Sequence, residues 1–483
     1  MNTEILKNEA SLTEDEARKY KLKLRECVLG DRQFYRRVTA VVIPMIVQNT
    51  LSNIVSLLDN VMVGQVGTVP MSAVAIVNQL FFVLYLCIWG SLSGAGIYGT
   101  QYYGKGDEEG MKITIRFKVV DIIFVLTVAI LVFIFAGNAL VKLYIAGDTT
   151  PEDAAETIRL ARQYMLIMLI GFIPFGAAQV LAGTMRESGK TLLPMKASIT
   201  AMLVNFVFNA LLIFGLLGFP KLGVAGAAVA TVISRFVEFA IIAVGALNRE
   251  KYPFFKGVLK NFRIPPVNFN AIFMKSLPLL INECMWALGM AVLLQCYSVR
   301  GLAVIAAMNI GNTVAQIFNE VFLSLGNATS IICGQELGAN RLVEARRSSW
   351  RIVALSIVVT IILGGLLFVV APLIPKIYNV EPEIKAMSSD FIRVLAVCMP
   401  INAVANILYF TIRSGGRVFI TILFDSFFTW LISVPVAFIL AHFSALTVLT
   451  IYIIVSLLEL GKCLVGFIMS KKGIWVRNIV QNV

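Results

Sequence analysis

The chain has 483 residues, enough for two or three soluble domains, but 58% of them are hydrophobic, only 14% are charged, and the mean hydropathy is +0.83. A soluble domain carries about 25% charged residues, so the composition excludes an ordinary globular enzyme and points to a helical protein that crosses a membrane many times. The net charge of +13 invites a nucleic-acid reading, which the distribution of the charges rejects below.

In chain order, the first 37 residues are too charged for a cleavable signal sequence. "SLTE" at 11–14 has the form of a capping box for a short helix. "LGDRQFYRR" then brings aromatic and basic residues to the first span, which predicts a segment lying on the membrane surface. Apolar runs of about 20 residues, long enough to cross a hydrocarbon core, predict twelve helices: 39–62, 72–98, 117–137, 157–180, 192–216, 223–247, 270–296, 302–332, 350–371, 388–411, 417–441 and 445–470. No alternating pattern of about ten residues suggests a transmembrane barrel.

With the loops assigned alternately to two sides, 31 of the 41 Lys and Arg residues fall on the side of the termini and 5 on the other. That asymmetry is the positive-inside rule, so both termini are expected in the cytoplasm and the surplus charge is topological. The seven cysteines are scattered without CxxC spacing and read as buried thiols. The single histidine, His442, has no cluster around it, which argues against zinc or His-based catalysis.

The second half echoes the first at a shift of 234 residues. Pro44 meets Pro278, Gly67 meets Gly301, Asn78 meets Asn312, Gln101 meets Gln335 and Gly104 meets Gly338. Prolines, glycines and amides are uncommon in spans, so these matches outweigh their small number. Six spans per half give both halves one orientation, the arrangement of parallel transporter repeats. The expected organisation is a cytoplasmic segment 1–38, an N-lobe 39–247, a linker 248–269, a C-lobe 270–470 and a tail 471–483.

Polar side chains inside spans are costly and tend to face a bundle interior or a watery cavity. Gln48, Ser52, Ser56 and Asp59 share one helical face of span one, with Asn49, Asn53 and Asn60 beside it. Pro44, a turn before Gln48, predicts a bend. Asn309, Asn312, Gln316, Asn319 and Glu320 form a second stripe in span eight. Asn78, Gln79, Asn282 and Glu283 add cavity candidates, and Asn205 and Asn209 lie in span five. Asp59 has no cation in its own helix to neutralise it, and a proton or a sodium ion would serve. The i,i+3 pairs Arg235/Glu238 and Glu459/Lys462 read as ties between helices.

"LLDNVMVGQVG" at 57–67, "GTQYYGKGD" at 99–107, "MRESGKTLLPM" at 185–195, "LGVAGAAVATVIS" at 222–234 and "ICGQELGANR" at 332–341 together resemble the multidrug and toxic compound extrusion (MATE) transporters, over nearly the whole chain. The resemblance implies two six-helix lobes forming a V, no enzymatic activity, no cofactor, and export of amphipathic, cationic organic compounds in exchange for Na+ or H+. It implies a monomer in the plasma (cytoplasmic) membrane whose partners are small-molecule drugs and the lipid bilayer. Asp59 matches the first-helix carboxylate that many members use for cation coupling, and Pro44 the proline at which that helix bends. Asn205 and Thr231 resemble further members of the N-lobe cation site. Asn209 stands where the proton-linked archaeal branch has an aspartate, which removes one acid of a two-acid relay and leaves sodium open. Glu283 lies in the helix where the sodium-linked branch has a glutamate, while "RSGGR" at 413–417 lacks that branch's tenth-helix aspartate. The alternatives are a lipid-linked oligosaccharide flippase, which should need a basic cavity, and a metabolite exporter of the same superfamily.

Overall fold

The computed structural model describes residues 12–145, 150–260, 262–378 and 380–481. Among them are two short helices, α1 (Glu14–Lys19) and α2 (Leu24–Val28), and twelve long ones. The long helices are α3 (Arg32–Gly64), α4 (Thr68–Lys105), α5 (Glu108–Lys142), α6 (Pro151–Glu187), α7 (Leu192–Phe214), α8 (Val224–Ala246), α9 (Pro266–Ser298), α10 (Leu302–Gly338), α11 (Leu342–Val370), α12 (Pro382–Ser414), α13 (Val418–Phe443) and α14 (Val448–Lys471). All twelve are long and apolar enough to cross a membrane, and the described residues include no strand. All seven cysteines are free thiols.

Each helix matches one predicted span, but several extend past it. α11 begins at Leu342 rather than 350 because its charged first turns find partners that hydropathy does not register. Arg346 Nη1 donates to the carbonyls of Ala17 at 2.6 Å and Tyr20 at 2.9 Å, and Arg351 Nη1 meets Glu344 at 2.8 Å. The capping box also needs correction. It is formed by Thr13 and Glu16, with Glu16 accepting from both the backbone N–H and the hydroxyl of Thr13 at 2.9 Å. Those bonds hold the Glu16 carboxyl below its usual range. Ser11, the residue expected to cap, lies outside the described residues. α13 is not a regular α-helix as predicted, since residues Leu423–Phe427 and Thr429–Ser433 form wider i→i+5 turns.

The chain folds into two compact units. The amino-terminal unit comprises Ile43–Gly99 and Glu108–Leu280; the carboxy-terminal unit comprises Met1–Val42, Thr100–Asp107 and Ile281–Val483. In the amino-terminal unit α8 packs along α6 and α7. Its "VAGAAVA" start allows the approach, because a side chain at Gly226 would collide with the main chain of Leu212. Membrane helices meet through such small residues, since lipid supplies no hydrophobic drive between them. Phe81, Tyr85, Phe133 and Phe172 fill the space between α4, α5 and α6, with Phe81 in edge-to-face contact with Phe133 and Phe172.

In the carboxy-terminal unit α12 packs against α10, α11 and α14. The end of α4 crosses the end of α10 within this unit. A Cβ at Gly104 would overlap the Gln335 carbonyl, and one at Gly338 would overlap the Gln101 carbonyl. The two contacts exchange under the 234-residue shift, which explains why this glycine and this glutamine recur together. Gly67 and Gly301, also matched, have φ of 148° and 124° at the turns before α4 and α10, a region that disfavours any side chain.

Gln101 also secures the chain's last residues. Its Nε2 donates to the carbonyls of Ser414 at 3.0 Å and Arg477 at 3.3 Å, and its Oε1 accepts from the Ile479 N–H at 2.9 Å. Trp475, Val476 and Val480 are buried, and Arg18 of α1 donates to the Val476 carbonyl. Gln101→Leu strands these backbone groups away from water, at about 1–3 kcal/mol for each group left without a partner. Thermal unfolding of the purified protein should therefore begin at a clearly lower temperature, and a parent-like transition would contradict the docked tail.

Candidate functional site

α3 turns Gln48, Ser52 and Asp59 to one face within the amino-terminal unit. Ser56, expected on the same face, lies outside the described side chains. Asp59 is half-buried and accepts a hydrogen bond from Asn209 Nδ2 on α7 at 2.5 Å. Asn205, one turn earlier on α7, is 4% exposed and also faces the carboxylate. Both carboxylate oxygens are acceptors, so the Asn205 amide nitrogen belongs toward them, 3.0 Å from Oδ1 and 3.3 Å from Oδ2. Its oxygen then lies 3.2 Å from Thr231 Oγ1 on α8. Three helices thus converge on one acid through two amides and a hydroxyl. The buried Asn209 Oδ1 has no hydrogen-bond partner, an unusual cost for a buried amide.

The same face of α8 carries Arg235 one turn beyond Thr231, and the charge of Arg235 is felt at Asp59. Arg235 Nη1 pairs with Glu238 at 3.1 Å, its guanidinium lying 4.6 Å from the centre of the Phe175 ring. Glu238 accepts from Ser198 Oγ at 2.6 Å, and Ser198 accepts from Gln48 Nε2 at 2.8 Å. Pro44 sits four residues before Gln48 inside a helix that is continuous from Arg32 to Gly64.

The other predicted residues fall in several places. Ser52 donates to the Gln48 carbonyl and Asn49 is half-buried beside it. Asn78 accepts from the Tyr164 hydroxyl at 3.4 Å, whereas Gln79 is exposed. Glu283 lies 3.9 Å from Arg413 in the carboxy-terminal unit. Asn309, Asn312, Asn319 and Gln316 of α10 are exposed, pointing away from the core of their own unit, and Glu320 is half-buried. Asn312 borders a small hollow with Met308, Gly311, Phe391, Leu395 and Tyr452. Asp59 is therefore brought together with Asn205, Asn209 and Thr231 in one unit, while Glu283 and Glu320 belong to the other unit.

Three clusters escaped the sequence reading. Lys118 on α5 holds both oxygens of Glu187, at 2.6 and 2.7 Å, and Thr184 at 3.1 Å. Their spacing of 69 residues gave no local signal. Asp121, one turn further along α5, is a half-buried carboxylate whose Oδ2 has no hydrogen-bond partner. Asp425 joins Asn282 of α9, at 3.1 Å, to Lys462 of α14, at 3.7 Å. Lys462 is also paired with Glu459 at 2.9 Å, so the expected i,i+3 tie is present and extended.

Among the described residues, twelve helices long and apolar enough to cross a membrane, repeated halves and a carboxylate held by amides inside a span are the features of a transporter. The MatE family model matches residues 44–211 and again 278–439, and the chain belongs to that family. It is 27% identical over 427 residues to the probable multidrug resistance protein YoeA of Bacillus subtilis, covering 87% of this chain and 89% of that one. It is 22% identical over 420 residues to the probable multidrug resistance protein NorM of Thermotoga maritima, covering 85% and 86%. A mutant of the Vibrio cholerae MATE transporter VcmN has the same fold, with a TM-score of 0.81 at 16% identity, covering 92% of this chain and 97% of that one.

Proposed function

We propose that this chain is a secondary active exporter that expels amphipathic, cationic organic compounds in exchange for Na+ or H+ at Asp59. One observation carries the reading: an acid inside a span accepts hydrogen bonds from two neutral amides of α7, one of them backed by Thr231 of α8, beside an amide oxygen that lacks a partner. Intramembrane carboxylates so placed mark ion or proton pathways. With the two amides turned over, Asp59, Asn205, Asn209 and Thr231 would supply the oxygens that a hard monovalent cation takes, and Asp59 alone could take a proton. The relatives named for multidrug resistance support the substrate class.

In the proposed cycle, a cation arriving from outside neutralises Asp59 and weakens its pull on Asn205 and Asn209. α3 then bends at Pro44 and the cavity releases its compound. Return of the cation to the cytoplasm resets the site. The coupling energy is the difference in cation affinity between the two conformations. The exposed amides of α10 suit a wetted wall, because lipid would strand them. Both termini are assigned to the cytoplasm by the 31 to 5 basic split, and the chain is assigned to the cytoplasmic membrane as a monomer. A flippase for diphosphate-linked sugars fits less well, since Asp59, Glu283 and Glu320 would oppose an anionic head group.

The test is efflux of a fluorescent cationic dye from vesicles under an imposed Na+ or H+ gradient. One of the two gradients should accelerate efflux over vesicles lacking the protein. Dye retention under both gradients would overturn the reading and favour the flippase or a metabolite exporter.

A further inference from the structure

Gln48 and Asn282 occupy matching places, each four residues beyond the proline in the first long helix of its half. The two family-matched segments begin 234 residues apart, at 44 and 278, and end 228 apart, at 211 and 439. Gln48 and Asn282 are separated by the first of these offsets, and Ser198 and Ser426 by the second. Each amide meets the serine of its own half: Gln48 Nε2 donates to Ser198 at 2.8 Å, and Ser426 Oγ donates to Asn282 Oδ1 at 2.6 Å.

Each amide–serine pair in turn meets a carboxylate, Glu238 at 2.6 Å from Ser198 and Asp425 at 3.1 Å from Asn282. Each carboxylate is paired with a cation on the sixth helix of its half, Arg235 at 3.1 Å or Lys462 at 3.7 Å. Arg235 and Glu238 are matched by Glu459 and Lys462 with the charge order reversed. The sixth-helix pair and its link to the first helix therefore recur although the residues have changed.

A buried ion pair adds little net stability over an apolar replacement, so its recurrence in both halves asks for a reason beyond folding. Two further observations supply one. Of the four places where the chain passes from one compact unit to the other, two, Val42–Ile43 and Leu280–Ile281, lie within three residues of Pro44 and Pro278. The first wide turn of α13, Leu423–Phe427, contains both Asp425 and Ser426, and such turns often sit at functional positions.

We propose that these are matched clamps: Gln48–Ser198–Glu238–Arg235 on α3 and Asn282–Ser426–Asp425–Lys462 on α9. Each holds its helix one turn beyond the proline, and together they set how fast the two helices bend during a transport cycle. The residues are positioning residues acting through Pro44 and Pro278. The rate-setting part rests on the transport reading above; the clamp itself does not.

Hydrogen exchange on the purified protein tests the clamp without transport. Asn282→Ala should raise exchange of the α9 amides at 279–286 about tenfold. With Pro278→Ala in the same chain most of that rise should vanish, because residues coupled through one hinge are not additive. Asp425→Asn, which keeps the side chain's size, should reproduce the pattern if Asn282→Ala folds poorly. Unchanged exchange in these variants, or an equal rise with and without Pro278, overturns the clamp. In dye efflux Asn282→Ala should change the maximal rate about threefold or more, leaving the half-saturating dye and cation concentrations as in the parent. An unchanged maximal rate, or an effect confined to half-saturation, overturns the rate-setting role. A parent that moves no dye defeats the transport reading, while the exchange measurements still decide the clamp.

Discussion

Asp59→Asn should reduce gradient-driven dye efflux to the level of vesicles lacking the protein, a loss of about 100-fold. The substitution keeps the shape of the side chain and lets it hydrogen-bond to Asn205 and Asn209, so the fold should survive with little change in melting. What it removes is the charge. A permanently neutral residue cannot be neutralised by an arriving cation, so cation binding no longer distinguishes the two conformations and has nothing with which to drive exchange. Asn205→Ala and Thr231→Ala should be milder, weakening the cation's hold without abolishing it, and should appear as a higher half-saturating cation concentration. Efflux in Asp59→Asn that still responds to the gradient would remove Asp59 from the coupling role.

The second large effect concerns the fold. Glu187→Ala leaves Lys118, 1% exposed, as a buried charge without its partner. Breaking a buried pair from one side costs about 3–5 kcal/mol, enough to lose most of the folded yield. Gly96 lies against the same carboxylate, so the site also loses packing. Replacing both residues, as Lys118→Met with Glu187→Leu, removes the stranded charge and should recover much of the stability. Denaturant unfolding of the three purified proteins decides the matter. Equal stability of Glu187→Ala and the parent would show that the pair is not the tie it looks to be.

The twelve helices were legible because crossing a membrane demands one simple property, about 20 apolar residues in a row. The repeat was legible because Pro44/Pro278, Gly104/Gly338 and Gln101/Gln335 each answer a backbone requirement that a biased composition does not otherwise meet. The helix ends were not legible. Arg346 and Arg351 look like loop residues until the Ala17 and Tyr20 carbonyls and the Glu344 carboxylate are placed beside them. Neither were the partners of the polar groups, because a serine such as Ser198 or Ser426 carries almost no signal alone and acquires meaning from what faces it. Nothing in the predicted span 417–441 marks Asp425, which joins α9 to α14 from within a wide turn. The acid itself stood out in the sequence; the arrangement of Asn205 and Asn209 around it came from the family resemblance and the packing of α7 against α8.

Drug-driven cation movement tests the central claim most directly. In sealed proteoliposomes with no ion gradient, a dye gradient directed outward should draw Na+ or H+ inward through the parent protein, in proportion to dye exit. This cation uptake should disappear in Asp59→Asn. Uptake of undiminished size in that variant would contradict it.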